Sequence, residues 1–243
     1  MTQAGKRDRA LRCLNDATAP AGAGRMQAAL GTGDASRPRD ATDRSGHAAP
    51  EQPIGEPVSL DPYLNNVGVT SMACFERGAF NVWGNSFSAD YLPRGGTVVD
   101  GILFELATAR CGEADNVRCE GEFVAVRQDR YDWVYVLAAA ERRAEDEVAL
   151  HFTDGSVDFE ALRVSDFWAA EAAFGEFKAF ESPTMHYPRH AQPNVSAMLW
   201  LQRIPITRRL PLCGIHLPRN AAIHLFALTL LPGPGRERRS CGL

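Results

Sequence analysis

Residues 131–168, YDWVYVLAAAERRAEDEVALHFTDGSVDFEALRVSDFW, read as three antiparallel strands. Tyr131, Trp133, Tyr135 and Leu137 alternate with Asp132, Val134 and Val136, and a polar turn is expected at Glu141 to Asp146. Val148, Leu150 and Phe152 carry a second strand up to Asp154-Gly155, a dipeptide suited to hairpin turns that need φ > 0 at both central positions. A third strand leaves through Val157, Phe159, Leu162 and Val164. A period of two repeated this way predicts a β-sandwich or barrel.

Outward from this meander, Val195–Ile206 (VSAMLWLQRIPI) and Ala222–Leu231 (AIHLFALTLL) are apolar almost without interruption. Such runs suit central strands covered on both faces. Thr97–Leu106 is a strand broken at Asp100-Gly101, where a bulge or tight turn is expected. Residues Ala169–Glu181 carry Ala and Glu with some helical character, but Gly175 and the aromatics make an irregular segment equally consistent. The stretches Tyr63–Pro93 and Ser182–Pro193 read as loops, the first too long for a simple connection. No strand precedes a GxGxxG or GxxxxGK[ST] motif, so a parallel nucleotide-binding fold is disfavoured. The expected fold is all-β, an antiparallel β-sandwich or jelly roll of roughly 8–10 strands.

Residues 1–56 hold no aromatic side chain and predict a disordered low-complexity N-terminal tail. The sandwich is expected over 57–232, and 233–243 forms a second disordered tail. With 45% hydrophobic residues the chain can bury a core. A formal charge of -4 argues against a nucleic-acid partner. No stretch approaches the ~20 apolar residues that span a bilayer. The basic start at Lys6, Arg7, Arg9 and Arg12 lacks the apolar segment of a signal peptide, so a cytoplasmic protein with no membrane partner is expected. The six cysteines show no CxxC or zinc spacing, and free reduced thiols are expected. Nothing in the spacing sets an oligomeric state.

A succession of short motifs resembles a galactose-binding-like β-sandwich, the jelly-roll module that accompanies bacterial glycoside hydrolases. They are Asn65-Asn66-x-Gly68, Gly84-Asn85-x-Phe87-Ser88-Ala89-Asp90-Tyr91-Leu92-Pro93, Asp115-Asn116-Val117, Thr153-Asp154-Gly155-Ser156 and Ser165-Asp166-Phe167-Trp168. The resemblance spans about Val58–Leu231, with no catalytic domain attached in this chain. It implies carbohydrate or glycosylated small-molecule binding by a stand-alone, non-catalytic module. It also implies a structural calcium ion on Asp115, Asn116 and Asp166, for which turn capping is the plainer alternative; no other cofactor is expected.

The residues themselves place a ligand site on the two loops. Sugar recognition needs aromatic faces for ring C–H groups and amides for hydroxyls, and Asn65, Asn66, Trp83, Asn85, Phe87 and Tyr91 supply both. Tyr187 and Arg189 extend the site from the second loop, the guanidinium suiting a carboxylate or phosphate. Whether the chain is an enzyme stays open. An alternative is an enzyme on this scaffold with His186 or His190 as base, acting on a sugar-like or secondary-metabolite substrate. A protein-interaction module is the third reading.

Overall fold

The computed structural model describes residues 54–233, and the regular elements of this span are strands apart from two 3-10 turns. In chain order they are β1 (Glu56–Val58), β2 (Val69–Thr70), β3 (Ser86–Ser88), β4 (Gly95–Val99), β5 (Ile102–Leu106), β6 (Val117–Arg118) and β7 (Phe123–Asp129). There follow β8 (Tyr131–Ala140), β9 (Ala144–Phe152), β10 (Val157–Val164), β11 (Phe177–Tyr187), β12 (His190–Pro205), β13 (Leu212–His216) and β14 (Ile223–Pro232). One sheet runs β1-β14-β8-β12-β11-β3-β2, with β6 also on β14; a second runs β10-β9-β13-β7; β4 and β5 form a separate hairpin. The fold is an all-β sandwich. The two tails expected from composition lie essentially outside the described residues.

The large sheet is buried on both faces, as the two long apolar runs predict. The pleat of β8 sends Val134, Val136, Ala138 and Ala140 toward the four-stranded sheet, where they meet Val148, Leu150, Leu162, Leu212 and Ile215. Leu137 and Ala139 point the other way, into a second core with Phe80, Phe87, Phe104, Phe167, Met185 and Phe226. Strand β12 divides in the same manner, with Ile204 in the first core and Leu199 and Leu201 in the second.

The three-strand meander is corrected in one respect. β8 does not pair with β9; it pairs with β12 and β14, while β9 pairs with β10 and β13. The chain turns over Glu141–Arg143 and crosses from one sheet to the other. β8 is apolar enough to be covered on both faces, whereas β9 opens with half- and fully exposed Ala144–Glu147 before its buried Val148. That sequence suits a sheet with one wet face.

The two Asp-Gly pairs also part company. Asp100 (φ 50°) and Gly101 (φ 75°) form the tight turn between β4 and β5, with Val99 opposite Ile102. At Asp154-Gly155 only Gly155 (φ 86°) is left-handed; Asp154 Oδ1 instead accepts from Ser156 N at 2.9 Å and Ser156 Oγ at 2.6 Å, capping a longer loop.

The expected Ser182–Pro193 loop is a β-hairpin. Tyr187 lies opposite His190, and Pro188-Arg189 form its two-residue turn. Pro183 falls at a register shift between Ser182 and Thr184, where a missing N–H breaks no ladder bond. Phe177–Glu181 belong to the same strand and carry no helix. The expectation of free cysteines is overturned by a Cys74–Cys111 disulfide spanning 37 residues with Cα atoms 6.1 Å apart; Cys119 and Cys213 are free. Folding alone brings this pair together, across two loops with no sequence spacing to announce it. No helix among the described residues is long and apolar enough to cross a membrane.

Leu137 is fully buried at the centre of the doubly covered sheet. Leu137→Ala is expected to lower unfolding stability by about 2–5 kcal/mol in urea titration. Phe159→Ala, on the exposed face of β10, should stay within about 0.5 kcal/mol of wild type.

Candidate functional site

The far edge of the large sheet brings the two sequence-predicted segments together. β3 pairs with β11 through Met185–Phe87 and His186–Ser86, and β2 lies parallel to β3. Next to them Gly84 packs so closely on Pro188 that a Cβ there would sit 2.7 Å from the proline Cγ. Its φ of +70° adds a second reason for glycine.

Gly84 closes a turn whose N–H donates to Asn81 O at 2.9 Å. Asn81 Oδ1 accepts from the backbone N–H of both Trp83 and Asn85, at 3.1 Å each. This Asx-capped tip displays Val82 and Trp83, which are 81% and 56% exposed. The Trp83 ring stacks on Trp168 at 6.3 Å between centroids and 20° between planes. Trp168 is held from two sides. Its backbone N–H donates to Asp166 Oδ1 at 2.8 Å and its indole N–H to Met185 Sδ at 3.0 Å. Beside Trp168 runs a shallow groove of about 440 Å³ lined by Lys178, Glu181, Asn194, Ser196 and Met198. Glu181 is paired with Lys178 at 2.9 Å and accepts from Ser196 Oγ at 3.0 Å.

The remaining candidates divide between surface and interior. Tyr91, Arg189 and His190 are exposed, and Tyr187 is half-buried and stacked on His190 at 5.0 Å. Asn65 is exposed, but its amide is consumed: Nδ2 donates to Arg118 O and Glu122 Oε1, and Oδ1 accepts from Arg118 N. Phe87 and Asn85 are fully buried, and Asn66 nearly so, with Nδ2 on Ala79 O at 2.7 Å. These three are framework and touch no solvent-facing ligand surface. Trp168 joins the ligand-facing residues proposed from sequence. Its signal was alternation: Phe167 enters the core, so its neighbour must face out.

His186 and His190 do not form a pair. The hairpin register sets His190 against Tyr187, and His186, one residue earlier, points to the opposite face and is buried. His186 Nδ1 shares a 2.8 Å hydrogen bond with Thr70 Oγ1, which lies 2.7 Å from Ser86 Oγ. Burial lowers the affinity of this imidazole for a proton.

The three residues assigned to calcium serve other ends. Asp115 accepts from Gly68 N and Val69 N at 2.9 Å each, and from Asn116 Nδ2 at 2.9 Å. Asn116 Nδ2 also reaches Asn66 O and Oδ1, so Asn116 Oδ1 faces His224 and accepts a hydrogen bond from Nδ1–H at 2.9 Å. Asp166 shares none of these partners; it caps the Trp168 turn. Carboxylate oxygens already engaged by N–H donors do not fit a cation shell. No group of three or more His, Cys, Asp and Glu suited to a metal occurs among the described residues.

A family model described as an AziU2-like beta-sandwich domain matches residues 54–234. No curated protein matches the chain.

The Asp115–Asn116–His224 network carries a testable pH signature. Burial, against the opposing pull of the hydrogen bonds from Asn116, Gly68 and Val69, raises the Asp115 carboxyl from 3.8 to about 6. Burial, with a contribution from Arg118, lowers His224 from 6.5 to about 3. Between those values for Asp115 the folded state binds more protons than the unfolded, so acidification from about pH 6 to 4 favours folding. For His224 the unfolded state binds more, so the same acidification opposes folding. The two slopes cancel in wild type. His224→Gln leaves Asp115 alone, and the variant should gain stability relative to wild type by roughly 1.4 kcal/mol per pH unit from pH 6 to 4. Parallel pH profiles in urea titration would exclude a buried neutral imidazole.

Proposed function

The chain belongs to the AziU2-like beta-sandwich domain family, and from that premise we propose that it binds a carbohydrate or glycosylated small molecule without catalysis. The ligand's ring lies on the Trp83–Trp168 plate. The observation that carries this reading is the pair of near-parallel indoles, 56% and 44% exposed, on the sheet edge. Leaving two indoles in water costs free energy that burial would recover, so a surface that keeps them marks a contact site.

The chemistry suits a sugar ring. A pyranose presents C–H groups on one face, which pack on an aromatic plane, and hydroxyls around its rim. The groove beside Trp168 offers Asn194, Ser196, Glu181 and Lys178 for those hydroxyls. Asp166 holds the Trp168 backbone and Met185 Sδ its indole N–H, so little rotamer freedom is lost on binding. Tyr187 and Arg189, on the adjoining hairpin tip, suit a substituent beyond the ring, the arginine favouring an anionic one.

A second reading, a partner protein on the same plate, is favoured by Val82, whose aliphatic side chain is 81% exposed beside Trp83 and offers nothing to a hydroxyl.

Titration of intrinsic tryptophan fluorescence with galactose, N-acetylglucosamine and short β-glucans is expected to show a saturable change for at least one. Trp83→Ala and Trp168→Ala should each weaken that affinity about tenfold, or ~1.4 kcal/mol. Retention of full affinity by both variants would sink the plate as the ligand site. No response to any sugar, with both substitutions abolishing self-association, would transfer the plate to the protein-partner reading.

A further inference from the structure

We infer that the Cys74–Cys111 disulfide is a thiol-exchange site for a dithiol reductant and that it latches a removable cap over the buried imidazole of His186.

The cap is the segment Ser71–Gly78, which contains a 3-10 turn at Phe75–Arg77. It lies over the polar face of the sheet edge. The pleat of β2, β3 and β11 puts Val69, Phe87 and Met185 toward the second core. Thr70, Ser86, Ser88 and His186 are buried outside both cores. Phe75 of the cap meets the His186 ring edge-on at 6.3 Å.

A surface of three hydroxyls and an imidazole has little apolar area with which to hold a cover. The cap's own backbone bonds are local, from Cys74 N to Ser71 O, Arg77 N to Cys74 O and Gly78 N to Phe75 O. No cap residue belongs to either hydrophobic core cluster. Its strongest tether is covalent: Cys74, immediately before the 3-10 turn, is bonded to Cys111 in the exposed loop after β5. Ser71 adds N–H and hydroxyl contacts to Cys111 Sγ at 3.4 and 3.0 Å. Arg77 packs against Gly112 on the same side.

The bond is open to attack from one end. Cys111 is exposed while Cys74 is buried. A reductant thiolate attacks Cys111 Sγ, and the bonding pair leaves on Cys74 Sγ. The reductant's second thiolate then attacks the mixed disulfide and releases Cys111 as its thiolate, to which the Ser71 N–H and hydroxyl are placed to donate hydrogen bonds. Two electrons pass to the cysteines, two protons follow to give thiols, and the reductant departs as its own disulfide.

Opening removes the closure of a 37-residue loop and frees Phe75 from His186 while both cores stay packed. The imidazole is then exposed in a fixed orientation, Nδ1 anchored on Thr70 with Ser86 behind it, and Nε2, which has no hydrogen-bond partner among the described residues, presented outward. That is the arrangement of an oriented acid–base group.

The test uses the full chain under native conditions. Protein first oxidised with oxidised glutathione is incubated with dithiothreitol, then alkylated with iodoacetamide and mapped by peptide mass. Parallel samples are treated with diethyl pyrocarbonate. Cys74 and Cys111 should become alkylated with the β-sheet circular dichroism unchanged. The modification rate of His186 should rise about tenfold or more on reduction, as for a site passing from closed to locally open. His190, exposed in both states, should keep its rate. Cys111→Ser should show the fast His186 rate without reductant; if that variant does not fold, reduced wild type decides alone. The inference is overturned if the bond does not form on oxidation, if it is reduced only as the sheet signal is lost, or if His186 stays protected after reduction.

Discussion

The structure depends on one constraint: its large sheet is apolar on both faces and must be covered twice. A pleated strand sends successive side chains to opposite sides, so β8, β12 and β14 need two separate partners for one continuous run of Val, Leu, Ile, Ala and Phe. The four-stranded sheet covers one side. Among the described residues the other side is closed by the β4–β5 hairpin and by side chains from irregular segments, above all Phe80 and Phe167. The segments that read as loops are therefore walls of a core.

That origin explains where the candidate site lies. Phe167 is the last inward residue before the chain turns, so Trp168 is forced outward directly behind it. Phe80 is buried just before the Asx turn that lifts Val82 and Trp83 into solvent. Two aromatic plates thus stand on two aromatic plugs. Rigidity below supports exposure above, which is what a stacking surface requires of its rings.

The polar side of the same region obeys the opposite logic. Asp115, Asn116, Asn66 and His224 are buried where an unpaired polar group is costly, and they bond one another and the N–H groups of Gly68 and Val69, leaving His224 Nε2 without a partner. A Cβ on Gly68 would stand 2.5 Å from Asn116 Nδ2, so the network closes only over a glycine. This cluster fastens the segment before β2 to β14, and two of its side chains, Asp115 and Asn116, are ones the resemblance implied for calcium. The exposed pairs, such as Arg127–Glu56 and Arg163–Glu145, contribute far less because water screens them.

Periodicity along the chain was enough to determine the all-β class, the doubly covered character of 195–206 and 222–231, and the presence of aromatics and amides on the segments that form the edge of the candidate site. These follow from local physics, since burial period and turn chemistry are written in neighbouring residues. What only the tertiary structure decided was partnership. It chose which strand β8 pairs with, and which of two Asp-Gly dipeptides becomes a tight turn. It set which face His186 takes, and it joined Cys74 to Cys111. It also turned Asn66, Asn85 and Phe87 inward while leaving Trp83 out to meet a tryptophan 85 residues away. Each of these depends on contacts between segments distant in sequence, whose geometry is set by packing two cores around one sheet and by nothing in the local pattern.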